Sequence, residues 1–170
     1  MKGQRKRFIA AAVAVALGAL AATGLLVVPA LATPPSPGTT FTFLAPVAQF
    51  GEIKTKSESG DWEAEIETKG VSALHLTEIT IPAFGNGGWH SHPGPSFIIV
   101  KSGTMSFYDG DDPTCTAQVV PSGSGLFESG GDVHIVRNET SEALVLAVVQ
   151  LLETGAPRRV DEPSPGNCLF

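Results

Sequence analysis

The stretch Gly85-Asn86-Gly87-Gly88-Trp89-His90-Ser91-His92-Pro93-Gly94-Pro95 decides the reading of this chain. On an extended segment, side chains two residues apart project to the same face, so His90 and His92 converge on one point. The glycines before the pair and the Pro-Gly-Pro after it put it at a strand edge where a loop opens toward a cavity. Two imidazoles aimed at one point suit a metal better than an apolar core. A third imidazole follows in Gly131-Asp132-Val133-His134-Ile135-Val136-Arg137-Asn138, where a Gly-Gly turn leads into a strand beginning near His134.

Outward from these segments, short alternating or β-branched runs recur between Gly, Pro and Asp. Strands are predicted over Trp62–Glu67, Val71–Ile81, Ser96–Lys101, Thr104–Tyr108, Thr116–Val120, Gly125–Phe127, Val133–Arg137 and Ala143–Leu152. In Trp62–Glu67 apolar residues alternate with Glu63, Glu65 and Glu67, the pattern of a strand with one solvated face. Asp109-Gly110-Asp111-Asp112-Pro113 reads as a hairpin turn, with Asp-Gly supplying the positive φ such turns need. It lacks the longer ligand spacing of a calcium loop. There is no internal repeat and no sustained helical periodicity after residue 33. With 42% apolar residues, 13 Pro and 19 Gly, the chain is too hydrophobic for disorder and too loop-rich for a helical bundle. A β-sandwich or barrel is expected.

Taken together, the two histidine segments resemble the cupin superfamily. Its first motif is HxH, three or four residues, Glu, six residues, Gly. Here that becomes His90-Ser91-His92, Pro93-Gly94-Pro95, Ser96, then six residues to Gly103. The second motif is Gly, five residues, Pro-x-Gly, two residues, His, three residues, Asn. Here it becomes Gly123, five residues, Ser129-Gly130-Gly131, two residues, His134, three residues, Asn138. The resemblance implies an all-β fold, one double-stranded β-helix barrel of the cupin, jelly-roll-like type, over about residues 41–156. It also implies one divalent transition metal (Fe, Mn, Cu, Zn or Ni) held by His90, His92 and His134. Ser129 in place of the motif proline costs turn rigidity. Ser96 in place of the glutamate removes the usual fourth protein ligand. Superfamily members without that glutamate include three-histidine non-haem iron dioxygenases, and other members bind no metal.

Three neutral imidazoles leave a divalent ion its full charge and more open positions, which favours a small chelating anion as substrate. Ser96 would either donate to that anion or simply leave space, and Ile98 and Trp89 join it as candidate pocket residues. Trp89 could equally be packing at the barrel mouth. A dioxygenase-like enzyme is one reading; a non-catalytic binding module for a metal or small ligand is the other, and no catalytic residue is assigned. His75 reads as a hydrogen-bonded structural histidine. Glu128 could approach from a neighbouring strand and replace the missing carboxylate, although its offset from His134 does not obviously turn it inward. Asn138-Glu139-Thr140 matches a glycosylation sequon, but Asn138 already has a place in the second motif.

The ends of the chain concern location. Lys2, Arg5, Lys6 and Arg7 precede an uncharged run from Phe8 to Val28, and Ala30-Leu31-Ala32 forms a small-x-small cleavage box. This order is that of a secretory signal peptide over residues 1–32, followed by a Pro-rich linker over 33–40. An uncleaved anchor is the rival reading, and both place the folded part outside the cytoplasm. Without the leader's four basic residues the balance is 7 basic against 17 acidic, which disfavours nucleic acid as a partner. In an oxidising compartment Cys115 and Cys168, the only cysteines, are expected to pair and tie the Pro-rich tail 157–170 to the barrel, an intermolecular bridge or two unrelated free thiols being the alternatives. A small-molecule partner and no stable membrane association after cleavage complete the expectation, and the cupin resemblance alone implies a homodimer through strands near residues 41–50.

Overall fold

The structure, a computed structural model, describes residues 31–170; the expected export signal over residues 1–32 lies outside the described residues in all but its last two positions. Among the described residues there is no helix, and none therefore long and apolar enough to cross a membrane. The strands are β1 (Thr40–Phe43), β2 (Ala48–Phe50), β3 (Lys54–Ser59), β4 (Trp62–Glu67), β5 (Ser72–Ile81), β6 (His90–Ser91) and β7 (Ser96–Ser102). They continue with β8 (Thr104–Asp109), β9 (Gln118–Pro121), β10 (Gly125–Glu128), β11 (His134–Arg137), β12 (Leu144–Glu153) and β13 (Val160–Asp161).

Two antiparallel sheets face one another in a jelly-roll-like barrel, as the sequence leads one to expect. One runs β1-β5-β12-β7-β10, with β2 also on β5; the other runs β13-β6-β11-β8-β9. Strand alternation explains why they close on a core. On β12, Leu144, Leu146 and Val148 point inward opposite Ile81, Ile79 and Thr77 of β5. They meet Ile98 and Val100 of β7, Met105 of β8, Val120 of β9 and Val136 of β11 in one buried cluster. Burying each of these side chains contributes about 1.5–3 kcal/mol.

The outer face of the second sheet carries a smaller cluster of Trp89, Tyr108, Ile135 and Cys168. The tail covers it through the Cys115–Cys168 disulfide, whose Cα atoms lie 5.3 Å apart. Phe170 stacks on Trp89 and lies under the Arg137 guanidinium, 3.7 Å from the ring centre. The tail also contributes β13, which pairs with β6. Residues 33–39 run along the loop before the site: Trp89 N–H donates to Thr33 Oγ1 (2.7 Å) and Asn86 N–H to Ser36 Oγ (2.8 Å).

The sequence around Asp109-Gly110 builds a different turn from the one expected. β8 and β9 do pair, but a long loop joins them, and its positive φ falls on Cys115 (50°). Gly110 serves close approach instead, since a Cβ there would sit 2.7 Å from the Val133 carbonyl. Asp112 shapes the loop by accepting from Thr114 and Thr116 backbone N–H groups. The β3–β4 hairpin forms its own two-stranded sheet. Its glutamate face pairs with Lys54 and Lys56, while Trp62 and Ile66 on the other face stay 59% and 46% exposed.

Candidate metal centre

Pairing of β6 with β11 sets His90 directly opposite His134, and opposed residues on one face bring their side chains together. His92 lies two residues beyond His90 and returns to the same face. Ring centroids are 4.3 Å apart for His90–His134, 4.8 Å for His90–His92 and 5.2 Å for His92–His134. One nitrogen from each ring lies within 4.8 Å of the others, and all three residues are buried. The rings that the sequence places far apart are thus gathered at one point.

Each ring has its orientation fixed from behind. His90 Nδ1 lies 2.8 Å from the Gly88 carbonyl, His92 Nδ1 2.8 Å from the Arg158 carbonyl, and His134 Nδ1 3.0 Å from the Asp132 carbonyl. A carbonyl only accepts, so each Nδ1 carries the proton and each Nε2 keeps its lone pair. Gln150 Nε2 is also 2.9 Å from His92 Nδ1, but its two hydrogens have acceptors in Ser96 Oγ (3.2 Å) and the Arg158 carbonyl (3.3 Å). Burial, aided by neighbouring positive charge, pushes the His90 imidazolium well below its usual pKa. Burial lowers His92 and His134 to about 4, against the opposing effect of their carbonyl hydrogen bonds. At neutral pH all three are neutral donors, the state a metal needs.

Glu128 does turn inward, contrary to the reading of its offset from His134. Its position is set by β7, not by His134: β10 pairs with β7 so that Glu128 lies directly across from Ser96. Inward-facing Ser96 is fully buried and small, and the Glu128 carboxylate lies near the imidazoles. Its Oε1 is 3.1 Å from His134 Nε2 and its Oε2 3.6 Å from His92 Nε2. The carboxylate absent from the first motif therefore arrives from the neighbouring strand. Burial raises its pKa to about 7, partly offset by the Ser96 hydroxyl.

The donor set fits a cation. His134 Nε2 and both Glu128 oxygens are buried without a well-formed hydrogen bond among the described residues. Leaving such atoms unsatisfied costs about 1–3 kcal/mol each, and a shared cation would satisfy all three together.

Two cavities flank this cluster. The inner one, about 30 Å³, is walled by Ile79, Ile81, Ile98, Val136, Leu146 and Val148, and closed by Phe41, Arg158 and Arg159. The outer one, about 210 Å³, is lined by His92, Glu128 and His134 with Phe107, Gln118, Asp109 and Asp132. Of the candidate pocket residues, Ile98 lines the inner cavity. Ser96 lies behind Glu128, accepting from Gln150, and is on neither cavity wall. Trp89 is not on the pocket wall: the alternation that aims His90 inward aims Trp89 outward, into the cluster beneath Phe170.

His75 differs from expectation, because its Nδ1 is buried without a hydrogen-bond partner among the described residues. Asn138 is fully buried; its amide nitrogen donates to the Ile81, Pro82 and Glu142 carbonyls and its oxygen accepts from Thr140, which withdraws the sequon from modification. Gln150, Arg158 and Arg159 were not singled out from sequence. Gln150 interrupts the apolar inward phase of β12, and Arg158-Arg159 is the only adjacent basic pair after the leader; both signals were present.

Residues 77–150 match the family model described as the Cupin domain (Cupin_2). Among solved structures, the chain is similar to the polyketide cyclase RemF from Streptomyces resistomycificus, at 22% identity over 54% of this chain and 64% of that one, TM-score 0.45. It is also similar to a cupin-like protein from Thermotoga maritima, at 20% identity over 54% of this chain and 65% of that one, TM-score 0.47. A predicted oxalate decarboxylase from the same organism gives 18% identity over 49% of this chain and 83% of that one, TM-score 0.40. The chain thus spans just under two thirds of the first two. No curated protein matches it.

Proposed function

The chain belongs to the cupin superfamily, and on that premise we propose that it is an exported metal-dependent protein with dioxygenase-like activity on a small chelating anion. The observation that carries this reading is the convergence of three neutral imidazoles with the buried Glu128 carboxylate, whose oxygens and His134 Nε2 lack a well-formed hydrogen bond among the described residues. His90, His92, His134 and Glu128 would hold a divalent transition metal. Bound there, a redox-active ion supplies Lewis acidity and the capacity to activate dioxygen.

The rest is the work of the chain. The Gly88, Arg158 and Asp132 carbonyls hold the rings in their donor tautomer. The apolar wall of Ile79, Ile81, Ile98, Val136, Leu146 and Val148 excludes water from the inner side. Glu128, when it does not engage a cation, can take up or release a proton near neutrality.

The test is elemental analysis of protein prepared with Fe, Mn, Cu, Zn or Ni. About one equivalent is expected, and its loss in His134→Ala; absence of binding by every metal defeats the proposal. Oxygen consumption with thiols, diketones and hydroxy acids then tests turnover. The small inner cavity favours a second reading, a non-catalytic module for a small ligand, and metal binding without turnover across that panel would select it.

The proposal extends to location and assembly. Residues 1–32 act as an export signal cleaved after Ala32, a reading supported by the Cys115–Cys168 disulfide. The proposed homodimer is placed not on the strands near residues 41–50 but on the part of the first sheet's outer face where Phe97, Ile99 and Phe127 are more than half exposed.

A further inference from the structure

We propose that Arg159 is the anchor for the anionic group of the ligand, and that the ligand is a short-chain carboxylate bound in the inner cavity. The inference rests on the metal-centre reading above and names the residue and ligand class that complete it.

Arg159 reaches the site because the tail returns as β13 beside β6. Val160 pairs with Ser91 and Asp161 with His90, so residues 158–161 pass along the rim of the histidine cluster. The Arg159 side chain is only 13% exposed. Its Nε donates to Asp161 Oδ1, which fixes the plane of the fork. Its Nη2 is buried with no hydrogen-bond partner among the described residues. A buried guanidinium N–H without an acceptor is costly, and Arg159 lines the inner cavity together with His90, His92 and Glu128.

Arg158 adds a second charge on the same rim. One of its nitrogens donates to Gln150 Oε1 at 3.4 Å, and its guanidinium lies 5.1 Å from the Phe41 ring centre. Glu128 lines both cavities and Asp161 pairs with Arg159, so what distinguishes the two sides is the Arg158 and Arg159 guanidiniums on the inner rim against Asp109 and Asp132 on the outer one. An anion is drawn to the inner side and repelled from the outer.

Planar fork geometry matches a carboxylate, and the apolar wall accepts its alkyl end. Size limits the rest: a cavity of about 30 Å³ holds two or three water-sized groups. An acetate-sized acid matches that space, whereas a six-carbon acid would have to extend past the rim.

The experiment titrates the purified protein, loaded with Co(II), with acetate, hexanoate and acetamide, reading the visible cobalt spectrum and calorimetric heat. Acetate is expected to bind at least tenfold more tightly than hexanoate or acetamide. Arg159→Gln should weaken acetate tenfold or more while holding one equivalent of cobalt, and Arg159→Lys should recover part of the loss. Unchanged acetate affinity in Arg159→Gln, or acetamide binding equal to acetate, overturns the assignment and leaves the metal centre intact. A second arm separates the two readings by titrating metal-free protein with acetate. Should cobalt fail to bind while acetate still binds in an Arg159-dependent way, the anchor stands and the metal centre falls. Failure of both arms removes both.

Discussion

Ser96 and Glu128 face each other across β7 and β10, so the fourth donor can be exchanged between strands without moving the backbone. Glu128→Gln keeps the shape and removes the charge; the expected result is metal affinity lower by about 10–100-fold, measured by chelator competition, a range typical for loss of a supporting group and a lower bound for loss of a ligand. The double swap Ser96→Glu with Glu128→Ser should recover most of that affinity, and failure to do so would show that the two sites are not equivalent. The same residues set the pH response of metal-free protein. Each histidine has a folded pKa below its unfolded value near 6.5, so the unfolded chain binds the extra protons, and their contribution is present above 6.5 and lost as pH falls toward 4. Glu128 acts in the opposite sense. Its folded pKa near 7 exceeds the unfolded 4.5, so its contribution is present below 4.5 and lost as pH rises to 7. Three histidines outweigh one carboxylate, so thermal midpoints in a chelating buffer should rise between pH 4.5 and 6.5. Glu128→Gln should rise more steeply over that range, and a flat profile in the variant would refute the assignment.

At the scale of elements, the tail matters more than its composition suggests. It supplies β13 against β6, the Arg158 carbonyl behind His92, and the Glu162 carboxylate that accepts from Ser91. The disulfide closes a loop of about 54 residues, worth about 4 kcal/mol in the chain-entropy account. Cys115→Ser with Cys168→Ser should therefore lower unfolding free energy by up to about 4 kcal/mol in denaturant titration. It should also weaken metal binding by about tenfold, because the carbonyl behind His92 is less firmly held. Stability lost with metal affinity unchanged would separate the tail from the site. Strand existence was legible because alternation is local: all eight predicted segments contain strands, from Trp62–Glu67 through Leu144–Glu153. The strands β3 and β13 were not foreseen, and β1, β2 and β6 were expected only without bounds, as strands near residues 41–50 and an extended edge at the histidine pair, since two to six residues carry little periodicity and their pairing comes from distant partners. The three histidines were legible through motif spacing. Glu128 was not, because its direction follows from register with Ser96, and register between strands is a tertiary property.

For the whole molecule, the question is what covers the apolar surface that one copy leaves open. On the outer face of the first sheet, Phe97 and Phe127 pack with ring centroids 5.0 Å apart, yet both are 56% exposed. A groove of about 440 Å³ runs between this face and the base of the β3–β4 hairpin, lined by Ile66, Val71, Phe97, Phe127 and Leu151. The hairpin presents Trp62 and Ile66 on its apolar side, and an isolated two-stranded hairpin is marginal in water. Its other side, laced by Lys54–Glu67 and Lys56–Glu63, is suited to solvent. A second copy of the chain offers both surfaces at once: its hairpin can seat Trp62 against the Phe97–Phe127 face, and the two-fold operation repeats the contact. Light scattering after gel filtration should give twice the monomer mass at micromolar concentration. Phe97→Ser with Phe127→Ser removes about 2–3 kcal/mol of apolar burial from each of the two symmetry-related contacts, enough to raise the dimer dissociation constant about 1,000-fold or more. Trp62→Ser on the opposing surface should act in the same direction, and metal stoichiometry should stay at one per chain in all of them, because the site lies inside the barrel. A wild-type protein that remains monomeric at these concentrations would rule out this assembly and leave the exposed aromatic pair to be covered by a different partner.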